Sequence, residues 1–281
     1  MPLPHSFLRL SPLAPVLLGF ALAANAADTA PNPLLTPSPL PYHLPPFEQI
    51  KDEHFAPAFD QGMAEDLKEN EAIANNPAAP TFENTIVAME LSGKLLDRTS
   101  TAFGILNASL TNSTLQKLEA DLSPKLSAHR DAIRLNPKLF ARISALYDAR
   151  ETLGLDAESK RVLWRYYKDF VRAGAKLGEM EKTNLKAFNS QLAVLTTKFS
   201  QQVLKEVGAS AVLVDTRAEL AGLTDAQITA MANAAKAAGH EGKFLIRLQN
   251  TTGQPPLDSL TNRALRQRIM EASLARGSRG G

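Results

Sequence analysis

The chain has 281 residues, 44% of them hydrophobic and 21% charged, which suits one or two globular cores and excludes wholesale disorder. A formal net charge of +2 is too small to mark a nucleic-acid or membrane-surface protein. Zero cysteines exclude disulfides, thiol-linked lipid attachment and thiolate chemistry.

In chain order, the first element is a targeting device. Arg9 is the only formal charge before Asp28, and an apolar run from Leu13 to Ala23 leads into Ala24-Asn25-Ala26. That pattern reads as a cleavable export leader over residues 1–26, the alternative being a buried N-terminal helix. At about eleven residues the run is too short to span a bilayer, and no other stretch is long and apolar enough. A soluble protein of a bacterial-type periplasm, or outside the cell, is expected, with no membrane contact once the leader is gone. Seven prolines between Pro31 and Pro46 forbid a helix. They favour an extended strap over residues 27–50, the alternative being a loose linker.

Helices dominate from residue 51 to 208. Asp52 is expected to cap a helix with Phe55, Phe59, Met63 and Leu67 on one stripe, ended by Asn75-Asn76-Pro77. Thr81 opens a second, with Ile86, Met89, Leu96 and Phe103 inward. A third covers Thr114 to His129 and is expected to bend at Pro124. Asn136-Pro137 starts a fourth and Asp156 caps a fifth, which carries Val162, Leu163, Tyr166, Tyr167 and Phe170. The longest runs from about Ala175 to Val207. Its Leu185, Phe188, Leu192, Leu195 and Phe199 form a coiled-coil-like seam, expected to pack antiparallel on the preceding helix.

The pattern changes over residues 209–281. Ala211–Val214 and Phe244–Leu248 read as strands flanking a helix opened by Thr224 and closed at Gly239. Such a unit is expected to be a right-handed parallel crossover. Thr261-Asn262-Arg263 opens a basic helix. The last residues, Arg276 to Gly281, have the composition of a connecting loop.

No catalytic, cofactor or metal residue emerges. His5, His43, His54, His129 and His240 are scattered. His240-Glu241 begins like a zinc-binding helix, but Phe244 stands where the second imidazole belongs, and Gly239 and Gly242 break the helix. His54 beside Asp52 and Glu53 reads as a solvated helix start, and His129 beside Arg130 and Asp131 as a surface helix end. Gly174 and Gly178 flank a helix junction and make no phosphate cradle. Arg263, Arg266, Arg268, Arg276 and Arg279 against Glu271 lack interleaved aromatics, so surface or interdomain pairing outweighs nucleic-acid binding. Trp164, beside Tyr166 and Tyr167, is expected in the core, the alternative being a peptide-contact surface.

Three stretches nevertheless resemble one family. Asn32-Pro-Leu-Leu with Leu44-Pro-Pro-Phe-Glu-Gln-Ile50, and Pro80-Thr-Phe-Glu-Asn-Thr-Ile86, are similar to the thimet-oligopeptidase and oligopeptidase A group of zinc peptidases. Leu248-Gln-Asn-Thr-Thr-Gly-Gln-Pro, followed by Thr261-Asn-Arg, resembles its bacterial peptidyl-dipeptidase branch, as does Ala173-Gly-Ala-Lys-Leu177. The resemblance implies a mainly α fold: the elongated helical N-terminal half of a two-lobed, channel-containing zincin-type peptidase, with a small strand-helix-strand unit near the C-terminus. It implies zinc held by a His-Glu-x-x-His helix and a downstream glutamate, with no matching position in this chain. It further implies short unfolded peptides as substrates, release of C-terminal dipeptides, and a monomer at full length. The fragment alone is expected to be inactive, and its ending reads as a cut inside a larger enzyme. The alternative is a non-catalytic helical module that binds peptides or a partner.

Overall fold

The computed structural model describes residues 31–249, 251 and 253–275, and the described residues from Pro33 onward belong to one unit. The leader signals (His5, Arg9 and Leu13–Ala26), Asn250 and Thr252, and the tail with Arg276 and Arg279 lie outside the described residues.

The proline run admits one short 3-10 helix, Pro41–His43, in which Tyr42 and His43 take positive φ values of 57° and 55°. It is not a loose linker. Leu34 is buried with Phe55, Phe59 and Phe103, and the Arg98 guanidinium donates to the Leu34 carbonyl at 3.1 and 3.0 Å. The strap is thus clamped onto the helices beneath it.

A 3-10 turn, Asp52–His54, leads into α1 (Phe55–Ala74). Asp52 does not cap it. The His54 ring accepts the Lys51 N–H at 3.1 Å, while Asp52 accepts from the Asn112 side chain at 2.9 Å. The helix expected to run on from Thr81 is broken into a π-type segment Phe82–Val87, the single turn α2 (Ala88–Glu90) and α3 (Lys94–Ser109). Gly93 makes the break, at φ +68°. Its N–H donates to Glu69 at 2.7 Å, and a Cβ there would lie 2.9 Å from an Asp66 carboxylate oxygen.

Side-chain caps start the next helices, at Asn136 and Asp156 as the sequence pattern indicates and at Asn112 besides. Asn112 caps α4 (Ser113–Arg134), Asn136 caps α5 (Pro137–Asp148) and Asp156 caps α6 (Ala157–Arg172). Each accepts backbone N–H groups left free by the first helical turn. Helix α4 runs beyond His129 to Arg134, with Pro124 inside it. Helix α7 (Glu179–Ala209) follows the turn at Ala173-Gly-Ala-Lys-Leu177.

Helix α7 departs most from expectation. It packs along α4, not along the preceding α6. The contact is polar: Ser123 Oγ donates to the Ala193 carbonyl at 2.9 Å, Thr197 Oγ1 to Ser123 Oγ at 2.8 Å, Gln201 to the Gln116 carbonyl at 2.7 Å, and Asn189 to Asp131 at 2.8 Å. Positions rise along α7 as they fall along α4, so the two run antiparallel. Asn189, Ala193, Thr197 and Gln201 recur every four residues and form the half-buried stripe that faces α4. The apolar seam lies one residue around the helix and faces outward. Phe188 is 66% exposed, Leu192 63%, Leu195 61% and Phe199 69%.

Near the C-terminus, β1 (Val212–Val214) and β2 (Phe244–Ile246) flank α8 (Asp225–Ala237), followed by α9 (Pro256–Ser259) and α10 (Arg263–Leu274). The strands pair antiparallel, Val212 with Ile246 and Val214 with Phe244, which corrects the parallel crossover. The connection returns to the end of the ladder that it left, where Lys243 pairs with Asp215 at 2.8 Å. Three-residue strands offer too few ladder bonds to hold the pair, so packing decides. Val214, Ile246, Leu220, Ile228, Leu265 and Ile269 form that core. A second core joins α1, α3, α4 and the strap, where Phe103 meets Phe55 and Phe59 edge-on at 5.2 and 5.5 Å. A third joins α5 and α6 through Leu139, Ile143, Leu163 and Phe170.

Two glycine substitutions test this account in opposite directions. A Cβ at Gly104, inside α3, meets nothing within 4 Å, so Gly104→Ala is expected to add about 0.5–1 kcal/mol. Gly222 has φ +99° and a Cβ there would collide with the Ser259 carbonyl oxygen. Gly222→Ala is expected to lose about 2 kcal/mol or more in urea unfolding.

Candidate functional site

The side chains with the richest chemistry gather around α4. His129 is only 9% exposed, in mid-helix and not at a surface helix end, because α4 continues one further turn against α1. Its Nε2 lies 2.8 Å from Asp66 on α1. The Asn70 amide donates to Asp66 at 2.8 Å and to Ser92 Oγ at 3.3 Å. Asn70 Oδ1 and His129 Nδ1 are buried with no hydrogen-bond partner. A cavity of about 470 Å³ opens beside these groups and is also lined by Arg130, Arg134 and Tyr166.

On the other flank of α4, a groove of about 660 Å³ runs between α4, α7 and the end of α6. Arg130, Arg134 and Arg172 face it together with Asp131 and Asn189. Arg134 also sits 5.1 Å from the centre of the Phe170 ring. Guanidinium groups on such a wall can pair with a carboxylate. Burial pushes the Tyr166 phenol above the usual tyrosine range, and its hydrogen bond to Glu90 at 2.7 Å acts in the same direction.

The other sequence candidates serve local structure. His54 closes the turn before α1, and His43 Nδ1 lies 2.9 Å from the Ser38 carbonyl. His240 sits between Gly239 and Gly242, both at positive φ, where its N–H donates to the Ala235 carbonyl at 2.8 Å; Glu241 pairs with Lys236. Trp164 is half-buried, not in the core, with Arg161 4.1 Å from its ring centre. Tyr167 stacks on Tyr147 at 3.9 Å. Among the tail arginines, Arg268 donates to the Leu213 carbonyl at 2.6 Å and so ties α10 to β1. Gly178 precedes α7, its N–H donating to Glu181 at 2.8 Å. Among the described residues, no three His, Cys, Asp or Glu side chains gather so as to hold a metal ion.

The chain is 42% identical to the dipeptidyl carboxypeptidase of Escherichia coli over 251 residues, and 43% identical to that of Salmonella typhimurium over 249. Each match covers 89% of this chain. Oligopeptidase A of Escherichia coli is 27% identical over 88% of it. The chain is homologous to part of the dipeptidyl carboxypeptidase and oligopeptidase A family. It spans 37% of the length of the two dipeptidyl carboxypeptidases, and no protein-family model matches it.

The motifs that carry the family likeness are structural anchors. In Pro80–Ile86, Thr81 and Asn84 form a reciprocal cap, and the Asn84 side-chain oxygen also accepts from buried Arg142 at 2.8 Å. Arg142 donates further to Thr85 and to the carbonyls of Asn76 and Ala78. In the Leu248–Pro255 stretch, buried Gln254 bridges both backbone groups of Gln249 and reaches Ser273 on α10. Asn262, in the Thr-Asn-Arg triplet, caps α10.

Arg142→Met is expected to destabilise by about 2 kcal/mol in urea unfolding, since it strands the buried Thr85 hydroxyl and removes three further hydrogen bonds from part-buried positions. For Tyr166 the folded-state pKa lies above the unfolded one, so its contribution is complete below about pH 10 and is lost as pH rises further. Stability is therefore expected to hold up to about pH 10 and to fall as pH rises above it in the wild type, and less steeply in Tyr166→Phe.

Proposed function

We propose that the chain is one part of an exported zinc peptidyl-dipeptidase that releases C-terminal dipeptides from short unfolded peptides. The observation that carries this reading is identity of 42–43% over 89% of the chain to two proteins named dipeptidyl carboxypeptidase. The leader pattern at Arg9 to Ala26 supports a periplasmic address. No helix among the described residues is long and apolar enough to cross a membrane.

The residues present do not fit the zinc that the family implies. His129 is committed to Asp66, His54 to a helix start, and His240 to a turn without a second imidazole. No hydrolytic step is therefore assigned to them. In this reading the chain supplies a helical wall past which thin, unfolded peptides move, in a complete protein that is monomeric. The zinc ligands belong to the part of the family protein with no counterpart here.

Metal analysis and dipeptide release from an acylated tripeptide test the proposal. The chain alone is expected to hold no stoichiometric zinc and to release nothing. Mixed with the unmatched part of the Escherichia coli relative, it is expected to support chelator-sensitive dipeptide release. No release from the mixture overturns the peptidase reading. One tightly held zinc per isolated chain, lost in His54→Ala or His240→Ala, overturns the assignment of the metal elsewhere. The outward apolar face of α7 also suits the second reading, a non-catalytic helical module that binds a peptide or partner. That reading requires the isolated chain to be monodisperse and to unfold cooperatively.

A further inference from the structure

The outward face of α7 is built as an interface core. Met180, Phe188, Leu192, Leu195 and Phe199 lie along one side, each more than 60% exposed. At 1.5 Å per residue its unbroken part, Phe188 to Phe199, is roughly 17 Å long, more than the isolated apolar side chains of an ordinary surface. No charged residue occurs from Ala187 to Thr197, so that stretch can lose its water at little electrostatic cost. The stripe is not a misplaced core face. The neighbouring face of α7 is held on α4 by matched side-chain and carbonyl partners. Exposed Lys198 and Lys205 lie along one edge of it.

Dipeptidyl carboxypeptidases that share 42–43% identity with this chain are matched over only 37% of their length. Well over half of each relative therefore has no counterpart here. We propose that the apolar face of α7 docks against that remaining part of the family protein, through an apolar surface with an acidic edge that meets Lys198 and Lys205. This rests on the peptidase reading above. It adds where the two parts join, and it makes α7 a shared helix, polar toward its own lobe and apolar toward the other.

The chain contains no cysteine, so a single introduced thiol reports on this face alone. Maleimide labelling would be followed in Leu192→Cys and, as a control on a different helix, in Glu158→Cys. In the dilute isolated chain both thiols are expected to react freely. The unmatched part of Escherichia coli dipeptidyl carboxypeptidase would then be added as a separate polypeptide or fused to the chain. Labelling of the Leu192→Cys variant is expected to slow about tenfold or more, as at a desolvated interface core, while that of Glu158→Cys stays unchanged. Phe188→Asp with Phe199→Asp is expected to abolish that protection. Failure of protection in both the mixed and fused forms overturns the proposal. So does protection in the isolated chain that rises with its own concentration, which would assign the face to a second copy. Labelling needs no turnover. Protection without dipeptide release therefore sinks only the activity, and release without protection sinks only the docking face.

Discussion

The polar seam between α4 and α7 governs how this chain presents itself. Asn189, Thr197 and Gln201 are half-buried against α4, and Asp131, Ser123 and Gln116 on that helix give them partners at hydrogen-bond distance. A fully buried amide or hydroxyl left unpaired costs on the order of 1–3 kcal/mol, and these half-buried groups carry a share of that. With several such groups in register, the polar stripe fixes which way α7 turns. The apolar stripe is left outside as a consequence.

The same logic runs through the rest of the helical region. Arg142 carries a buried charge with neutral partners only, and its four acceptors come from a loop, a cap and a π-type segment that have little regular structure of their own. Asp66 does a similar job, receiving His129 from α4 and Asn70 from its own helix while crowding Gly93 at the break before α3. These groups join elements far apart in the chain. The motifs that resemble the peptidase family are therefore stations of the scaffold, and their likeness reports shared architecture more directly than shared chemistry.

That division explains how much of a candidate site could be read in advance. The missing second imidazole after His240 was legible, because ligand spacing on a helix is a local property. The burial of His129 was not. Its neighbours Arg130 and Asp131 are charged, and nothing within α4 announces that Asp66, on a helix 63 positions away, completes the pair. The arginine-lined groove between α4, α7 and α6 is not legible for the same reason, since Arg130, Arg134 and Arg172 come together only when the helices pack.

Sequence alone determined where several helices begin. Asn136, Asp156, Thr224 and Asn262 each satisfy backbone donors within three residues of themselves, so short-range chemistry suffices. It also determined the mainly helical class and the family likeness. Tertiary structure decided the rest: the break at Gly93, the antiparallel pairing of β1 with β2, and the choice of α4 over α6 as the partner of α7. Periodicity shows that a stripe is apolar, but it does not say what lies opposite. For α7 that depended on whether a neighbouring helix could satisfy the polar side chains one position around, which is a property of two distant segments together.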